Sequence, residues 1–196
     1  IERPHGGISF VLVDGQSSGY AAKSLATQVV RKVISDLAEG VRDGAAARAA
    51  NDMLYARRSG KVSATLVILS VELDSQNLLV TRCGNSPVFV RHPAGDVLEL
   101  DADAPPLGFY RHTRPLVEHI DLVPGLLAVA CTDGLIHAGG HSDKDPWSVP
   151  EAIETLWQRS PSAQLIADGL LEQAVAVDGG RAHDDTSILA LHVQSG

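Results

Sequence analysis

The middle of the chain is built of short apolar runs that are joined by even shorter polar turns. Four runs rich in valine and leucine lie at residues 63–73, 77–83, 88–91 and 97–100. Runs of this length and composition are typical of β-strands. A parallel pair of strands needs a crossover of a dozen or more residues, so connections this short permit only antiparallel neighbours. The sequence therefore predicts antiparallel sheets.

Helical periodicity begins before these strands. Residues 20–39 repeat apolar side chains at helix spacing, and Gly40 follows as a helix stop. The predicted buried face consists of Ala22, Leu25, Val29, Val33 and Leu37. A second helix is predicted at 44–58, with a buried stripe of Ala49, Met53 and Ala56. An apolar run at residues 8–13 predicts a first strand, and the two helices follow it.

The order of the remaining elements indicates the class of fold. An irregular loop at 103–114 precedes strands at 116–122 and 126–132. Helices at 149–159 and 163–175 then precede a last strand at 187–191. The order β, αα, several β, αα, β predicts an α+β protein, a four-layer α/β/β/α sandwich of two antiparallel sheets flanked by helix pairs.

Composition limits the kinds of partner that the chain can have. With 196 residues, 44% of them hydrophobic, the chain is long enough for one domain with a sizeable core. A formal net charge of −8 argues against nucleic acid as a partner and fits a protein that collects divalent cations.

The cysteines and the apolar runs bear on location. Cys83 and Cys131 lie in strand-like segments without metal-type spacing, which predicts buried free thiols in a reducing compartment, with a disulfide bridge between them as the alternative. The sequence contains no apolar run as long as a membrane span and does not begin with a signal peptide. We therefore expect a cytoplasmic protein without a membrane partner.

Three aspartates stand where an apolar strand-like run ends or begins. Asp14 and Asp133 each follow such a run, and Asp184 comes shortly before one. A carboxylate at a strand end is held by the sheet yet points out of its edge, so three of them could converge on one hard cation. Gly15 and Gly134 follow the first two and would allow sharp turns, although Asp-Gly is also a common turn signal. The pattern predicts a metal site.

Residues 15–19 offer a different chemistry. They match G-x-S-x-G between a strand and a helix, which is the context of a hydrolase nucleophile elbow. Ser17 would be the nucleophile, and Asp133 and His183 follow in the order Ser, Asp, His. Against this, the parallel sheet of that fold needs helical crossovers that the intervening strands lack. A serine hydrolase that uses Ser17 is therefore the alternative function.

Six short motifs lie in order along nearly the whole chain. They are Val11-Leu12-Val13-Asp14-Gly15, Ser63-Ala64-Thr65-Leu66, Cys83-Gly84-Asn85-Ser86-Pro87, Pro106-Leu107-Gly108, Ala130-Cys131-Thr132-Asp133-Gly134 and Asp184-Asp185-Thr186-Ser187. Together they resemble the landmarks of metal-dependent (PPM) serine/threonine protein phosphatases. Within that family the chain is most similar to the SpoIIE-like bacterial branch and to RsbX-like stressosome phosphatases.

The resemblance implies a two-metal site at one edge of the sandwich. Asp14 would bridge two Mn²⁺ or Mg²⁺ ions, Gly15 would offer its carbonyl oxygen to one, and Asp133 and Asp184 would ligate the other ion or its waters. Such ions, about 3.5–4 Å apart, activate a bridging water and stabilise in-line displacement at phosphorus. The three aspartates would then be the catalytic residues.

The resemblance also implies a substrate and a domain. The substrate would be phosphoserine or phosphothreonine on a regulatory protein of a bacterial stress response, of the STAS type or a stressosome component. The family usually begins with a strand that ends in an acidic pair, and nothing like it precedes Asp14. We therefore expect residues 1–196 to form a single phosphatase domain that lacks its first N-terminal strand.

We assign no catalytic role to the other side chains near these aspartates. No residue is assigned as a general acid, and His137 and His183 are expected to be surface or loop residues. Asp185 is expected to hold its turn by side-chain hydrogen bonds. A second alternative function is an inactive pseudophosphatase that binds phosphoprotein without turnover, although such a module has no need of three carboxylates at close range.

Substitution of Ser17 separates the two enzymatic functions. An esterase needs the Ser17 hydroxyl as its nucleophile, whereas a two-metal phosphatase uses water. We expect Ser17→Ala to keep most phosphatase activity and the unmutated protein to resist labelling by serine-directed fluorophosphonates. Stoichiometric labelling at Ser17, measured by mass spectrometry, would contradict the phosphatase function and favour the serine hydrolase.

Overall fold

The computed structural model describes residues 1–4, 6–16, 19–140 and 147–195. The chain divides into two compact units. The first comprises Ile1–Ser86 and Ala102–Leu122, and the second comprises Pro87–Asp101 and Val123–Gly196. Within the described ranges, none of the helices combines the length and the apolarity needed to cross a membrane.

The described residues form strands and helices close to the predicted positions. The strands are β1 (Ile8–Gly15), β2 (Ala64–Glu72), β3 (Asn77–Cys83), β4 (Val88–Arg91), β5 (Val97–Leu100), β6 (Leu116–Asp121), β7 (Leu127–Cys131) and β8 (Ile188–His192), and the helices are α1 (Gly19–Ala38), α2 (Asp43–Arg58), α3 (Asp133–Ile136), α4 (Val149–Arg159) and α5 (Ala163–Val177). Most predicted boundaries lie within two residues of these. The single-turn helix α3 was not predicted, because one turn is too short to show periodicity.

The first unit contains one antiparallel sheet in the order β1-β2-β3-β6. All of β1 is paired with β2, so that Gly15 lies opposite Ala64 and Asp14 opposite Thr65. Leu107 extends this pairing, since it exchanges two backbone hydrogen bonds with Ala64. The predicted loop at 103–114 is irregular, as expected, and it is tied to the sheet at this point.

Helix α1 packs on this sheet through its predicted face. The five predicted residues are all buried, and Val29, Val33 and Leu37 lie in one core cluster with Leu66 and Ile68 of β2. Full burial of such a side chain stabilises the fold by about 1.5–3 kcal/mol. The helix ends shortly before Gly40, whose φ of +84° is a left-handed conformation that favours glycine.

Helix α2 buries a different face from the one predicted. Ala49 and Met53 are only partly buried and Ala56 is exposed, so the predicted stripe is wrong. The buried face consists of Ala46, Ala47, Ala50, Asn51 and Leu54. Alanine occupies several faces of this helix, so its periodicity has little contrast, and packing against α1 and the sheet selects the face.

The second unit likewise contains one antiparallel sheet, in the order β5-β4-β7-β8. Helices α4 and α5 contact each other, and they pack against β5 and β8 respectively. Arg91 of β4 holds Glu154 of α4 by two hydrogen bonds of 2.6 and 3.3 Å and lies 4.7 Å above the Trp157 ring. These hydrogen bonds from Arg91 hold the pKa of the Glu154 carboxyl below its ordinary value.

Two antiparallel sheets, each with its own helix pair, confirm the predicted α+β class. Residues 139–147 are polar and contain glycine, which predicts an exposed segment. Most of it, residues 141–146, lies outside the described residues.

A buried polar network joins the start of the chain to α2. Asp43, the first residue of α2, is buried, and its carboxylate accepts hydrogen bonds from Arg3 at 3.0 Å and from the Ser70 hydroxyl. Ser70 also bonds Ser9 at 2.7 Å, and Arg3 donates to the carbonyl of Val41 at 3.2 Å. A carboxylate at a helix N-terminus is further stabilised by the helix dipole. The network therefore links β1, β2 and α2.

Removal of the Asp43 carboxylate should destabilise the protein strongly. Asp43→Ala leaves the Arg3 guanidinium and the Ser70 hydroxyl without their buried partner, so we expect the free energy of unfolding to fall by about 3 kcal/mol. Asp168→Ala removes an exposed carboxylate that bonds Gln164 on α5, and it should change stability by less than about 0.5 kcal/mol. Urea unfolding followed by circular dichroism measures both, and equal effects would contradict the expectation.

Candidate active site

Asp14 and Gly15 end the edge strand β1 of the first unit. Val11 and Val13 pack against the core that contains α1 and α2, so the alternation of side chains places Asp14 on the opposite face of the sheet. Gly15 does not form the sharp turn predicted for it, because it is still paired with Ala64. A Cβ on Gly15 would lie 2.5 Å from the carbonyl oxygen of Ala22, so glycine is needed here for the close approach of α1.

Asp133 follows β7 in the second unit, where it is the first residue of α3. Its side chain is partly buried, and its carbonyl accepts a hydrogen bond from the amide of His137 at 2.9 Å. The carboxylate therefore stands at the end of a central strand, as the sequence predicted, but at the start of a helical turn instead of a simple reverse turn.

Asp184 lies in the exposed segment that leads into β8. Its Oδ1 accepts a hydrogen bond from the amide of Asp185 at 2.8 Å, and its carbonyl accepts one from the Thr186 hydroxyl at 3.3 Å. The role expected of the Asp185 side chain is therefore filled by Asp184 and by backbone groups. The carboxylate of Asp184 shapes its own turn.

Thr132 joins the segments that carry Asp133 and Asp184. Its hydroxyl donates to the carbonyl of Asp185 at 3.1 Å and accepts from the amide of Ser187 at 2.9 Å. Its amide bonds the carbonyl of Ser187 at 3.1 Å. A Cβ on Gly134 would lie 2.7 Å from the carbonyl oxygen of Asp185, so this glycine too is required for close packing.

The structure thus brings two of the three predicted segments together. The segments of Asp133 and Asp184 are joined within the second unit, whereas Asp14 belongs to the first. Sequence reasoning missed the role of Thr132. Its position directly before Asp133 is a usable signal, because a threonine hydroxyl there can bond a neighbouring strand end.

The donor atoms available near these positions suit hard cations. Carboxylate oxygens are the ligands that Mg²⁺ and Mn²⁺ prefer. The two thiols are disfavoured as ligands, because both are buried and burial raises the pKa of Cys83 and Cys131 to about 12. Among the residues that the structure describes, no three His, Cys, Asp or Glu side chains are grouped so as to hold a metal ion. Mg²⁺ commonly takes only one or two carboxylates and fills its remaining positions with water and substrate oxygens.

The histidines and Ser17 add little to the described site. His137 and His183 are both exposed, as expected of surface or loop residues. The amide of His183 donates to the carboxylate of Asp178 at 3.2 Å. Ser17, the nucleophile of the alternative function, lies outside the described residues.

Comparison with known sequences identifies relatives along nearly the whole chain. The sequence model of the family described as stage II sporulation protein E (SpoIIE) matches residues 4–194. The stage II sporulation protein E of Bacillus subtilis (strain 168) is 22% identical over 181 residues, which make up 92% of this chain and 21% of that protein. The chain therefore spans about a fifth of the length of this curated relative.

Solved structures share the fold. The PP2C phosphatase domain of SpoIIE from Bacillus subtilis, with a fragment of its regulatory domain, has a TM-score of 0.77 at 19% identity, over 96% of this chain and 55% of that one. The catalytic domain of the serine/threonine protein phosphatase PstP, in complex with two manganese ions, has a TM-score of 0.74 at 17% identity, over 95% and 88%. The fold is the α+β fold of the PPM phosphatases.

The hydroxyl of Thr132 should be needed to hold the segment of Asp184 beside that of Asp133. Thr132→Val keeps the shape but leaves the Ser187 amide and the Asp185 carbonyl without this partner, so we expect a loss of about 1–2 kcal/mol in the free energy of unfolding. Thr132→Ser keeps the hydroxyl and should lose clearly less. Denaturant unfolding and hydrogen exchange at the Ser187 amide measure the effect, and equal behaviour of the two variants would contradict it.

Proposed function

The chain belongs to the SpoIIE family, and on that premise we propose that it is a metal-dependent protein phosphatase that hydrolyses phosphoserine or phosphothreonine. The observation that carries the proposal is the family match over residues 4–194 together with the aspartates at the ends of β1 and β7 and ahead of β8. Because the chain spans a fifth of its curated relative, its activity and substrate are proposals for this chain itself.

We propose that Asp14, Asp133 and Asp184 are the catalytic metal ligands and that the Gly15 carbonyl completes the set. Two Mn²⁺ or Mg²⁺ ions are the proposed cofactors. The support is the chemistry of the donors: three carboxylates and a backbone carbonyl are hard oxygen ligands, and the two thiols are buried and protonated. The two manganese ions of PstP belong to a protein of the same fold.

Asp14 and the positioning residue Thr132 have defined roles in the proposed mechanism. When bound, such ions activate a water and stabilise the developing charge on the phosphoryl group. Asp14 is held by its pairing in β1, so its carboxylate is presented from a rigid sheet. Thr132 fixes the segment of Asp184 against the end of β7 and is thereby a positioning residue.

The proposed substrate is a phosphorylated regulatory protein, and a STAS-type or stressosome component of a bacterial stress response is our specific proposal. It follows from the resemblance of the motifs to the SpoIIE-like branch and to RsbX-like phosphatases. Both cysteines are free and buried, which supports a reducing compartment, and we propose the cytoplasm.

Loss of any one aspartate should abolish metal-dependent turnover. We expect Asp14→Ala, Asp133→Ala and Asp184→Ala each to lower the hydrolysis of p-nitrophenyl phosphate in Mn²⁺ by at least about 100-fold, because each removes a direct ligand. Asp74→Ala, at an exposed position between β2 and β3, is the matched control and should keep full activity. Activity of the unmutated protein that survives EDTA would contradict the proposal.

Thermal unfolding gives a readout that does not depend on turnover. A cation that binds the folded state alone stabilises it by about 2.7 kcal/mol at a concentration of 100 Kd. We expect Mn²⁺ to raise the melting temperature of the unmutated protein and of Asp74→Ala, and to leave the three aspartate variants nearly unchanged. Variants that keep the full stabilisation would show that these residues are ordinary turn aspartates. Stabilisation without hydrolysis of any phosphate ester would indicate a pseudophosphatase.

A further inference from the structure

Two aromatic side chains of the first unit stand exposed side by side. Phe109 and Tyr110 are 49% and 52% exposed, and their rings meet edge to face with centroids 4.8 Å apart. The chain contains only eight Phe, Tyr and Trp residues, and most of the others are at least partly buried. An exposed aromatic pair in a chain with so few aromatics is a feature of interaction surfaces.

The loop that carries this pair is fixed by a buried side chain of α2. Asn51 is 0% exposed, and its Oδ1 accepts a hydrogen bond from the amide of Gly108 at 2.9 Å. Its Nδ2 donates to the carbonyls of Tyr110 at 3.2 Å and Arg111 at 3.4 Å. One amide group therefore holds the backbone on both sides of Phe109.

Further contacts hold the loop at its ends. Leu107 is fully buried and bonded to Ala64, and the buried Thr113 hydroxyl donates to the carbonyl of Pro105 at 3.4 Å. A Cβ on Gly60, whose φ is +79°, would lie 3.0 Å from the carbonyl oxygen of Phe109. The end of α2 thus lies directly against the loop. The aromatic rings are held exposed by a rigid backbone, which lowers the entropic penalty of binding to them.

Cationic residues are concentrated in the segment that carries the pair and in the end of α2 that lies against it. Residues 55–61, at the end of α2, and residues 105–115 carry five Lys or Arg and no Asp or Glu, although the chain has a net charge of −8. These five residues are Arg57, Arg58, Lys61, Arg111 and Arg114, and all are exposed. His112 lies between them in sequence, and Asp52, Asp103 and Glu118 flank the two segments. We call residues 55–61 and 105–115 the basic aromatic surface.

The basic aromatic surface is linked to the strand that carries Asp14. Gly15 is paired with Ala64, and Ala64 exchanges two backbone hydrogen bonds with Leu107. Phe109 follows Leu107 by two residues, so the exposed pair lies at the same end of the first sheet as Asp14. A ligand bound on this surface would lie near the proposed metal ligand of the first unit.

We propose that the basic aromatic surface docks an acidic segment of the phosphorylated protein substrate, with Phe109 and Tyr110 as anchors and the cationic residues of this surface as its electrostatic complement. The inference rests on the proposed phosphatase function. Aromatic and arginine residues dominate binding energy at protein interfaces, and surrounding charges raise the association rate. The basic aromatic surface is short and belongs to a chain with a net charge of −8, so it suits a short acidic segment better than a nucleic acid, whose phosphate backbone would extend over acidic parts of the chain.

The test compares three substrates and two kinds of variant. The substrates are p-nitrophenyl phosphate, a phosphothreonine peptide flanked by glutamates and the same peptide with glutamines in their place. The aromatic variant is Phe109→Ala/Tyr110→Ala and the charge variant is Arg58→Ala/Arg111→Ala. Leu73→Ala and Arg42→Ala are matched controls, since both residues are exposed: Leu73 follows the end of β2 that is opposite Ala64, and Arg42 precedes the end of α2 that is opposite residues 55–61.

The expected result is a loss confined to the acidic peptide. The aromatic and charge variants should each lower kcat/KM on the glutamate-flanked peptide by about tenfold, and on p-nitrophenyl phosphate by less than about twofold. Added salt should abolish the preference of the unmutated protein for glutamate over glutamine peptides. Equal losses on peptide and ester, no loss on the peptide, or the same loss in the controls would overturn the proposal.

Direct binding separates docking from turnover. Fluorescence anisotropy of the unphosphorylated glutamate-flanked peptide should show weaker binding to the aromatic variant by about tenfold. A single-stranded oligonucleotide that binds more tightly than the peptide, and loses binding in the same variant, would overturn the proposal in favour of nucleic acid. If the unmutated protein hydrolyses no phosphate ester but still binds the peptide through Phe109 and Tyr110, the phosphatase function fails and the docking surface stands.

Discussion

The antiparallel register of β1 against β2 is the constraint on which the first unit depends. It sets Gly15 opposite Ala64, and Ala64 in turn holds Leu107, so three distant parts of the chain are fixed by a few backbone hydrogen bonds. A slip of one residue would turn Asp14 toward the helices and bring Val13 out of the core. Gly15 protects the register, since any side chain there would push α1 away from the strand. Chemistry and packing therefore depend on the same pairing.

In the second unit, a side chain fixes the position of the aspartate segments. A central strand, β7, must present Asp133 beside a segment that comes from the far end of the chain. Thr132 does this by bonding a carbonyl and an amide of that segment, and Gly134 leaves room for the two backbones to meet. Both units thus position an aspartate by a close backbone approach next to a glycine, which explains why the Asp-Gly pairs occur at these strand ends. The glycines are needed for space more than for a turn.

The sequence predicted elements well where periodicity is strong and side chains differ in size. Helix α1 was predicted with its buried face, because Leu, Val and Ala alternate there with charged residues. The face of α2 was mispredicted, since its alanines lie on several sides and only contact with α1 and the sheet distinguishes them. The hydrogen bonds of Thr132 to residues 185 and 187, and of Asn51 to residues 108–111, join positions more than 50 residues apart. Local pattern holds no information on such partners, so the positions of the aspartates at strand ends were predictable and the bonds that fix them were not.

The burial of both cysteines has a consequence for oxidative stress. Peroxide attacks the thiolate, and burial raises the pKa of both thiols to about 12, which disfavours the thiolate at neutral pH. Conversion of Cys83 or Cys131 to a sulfenic acid would also require the core to open, since both side chains are enclosed. Neither thiol is therefore suited to act as a redox sensor while the protein is folded.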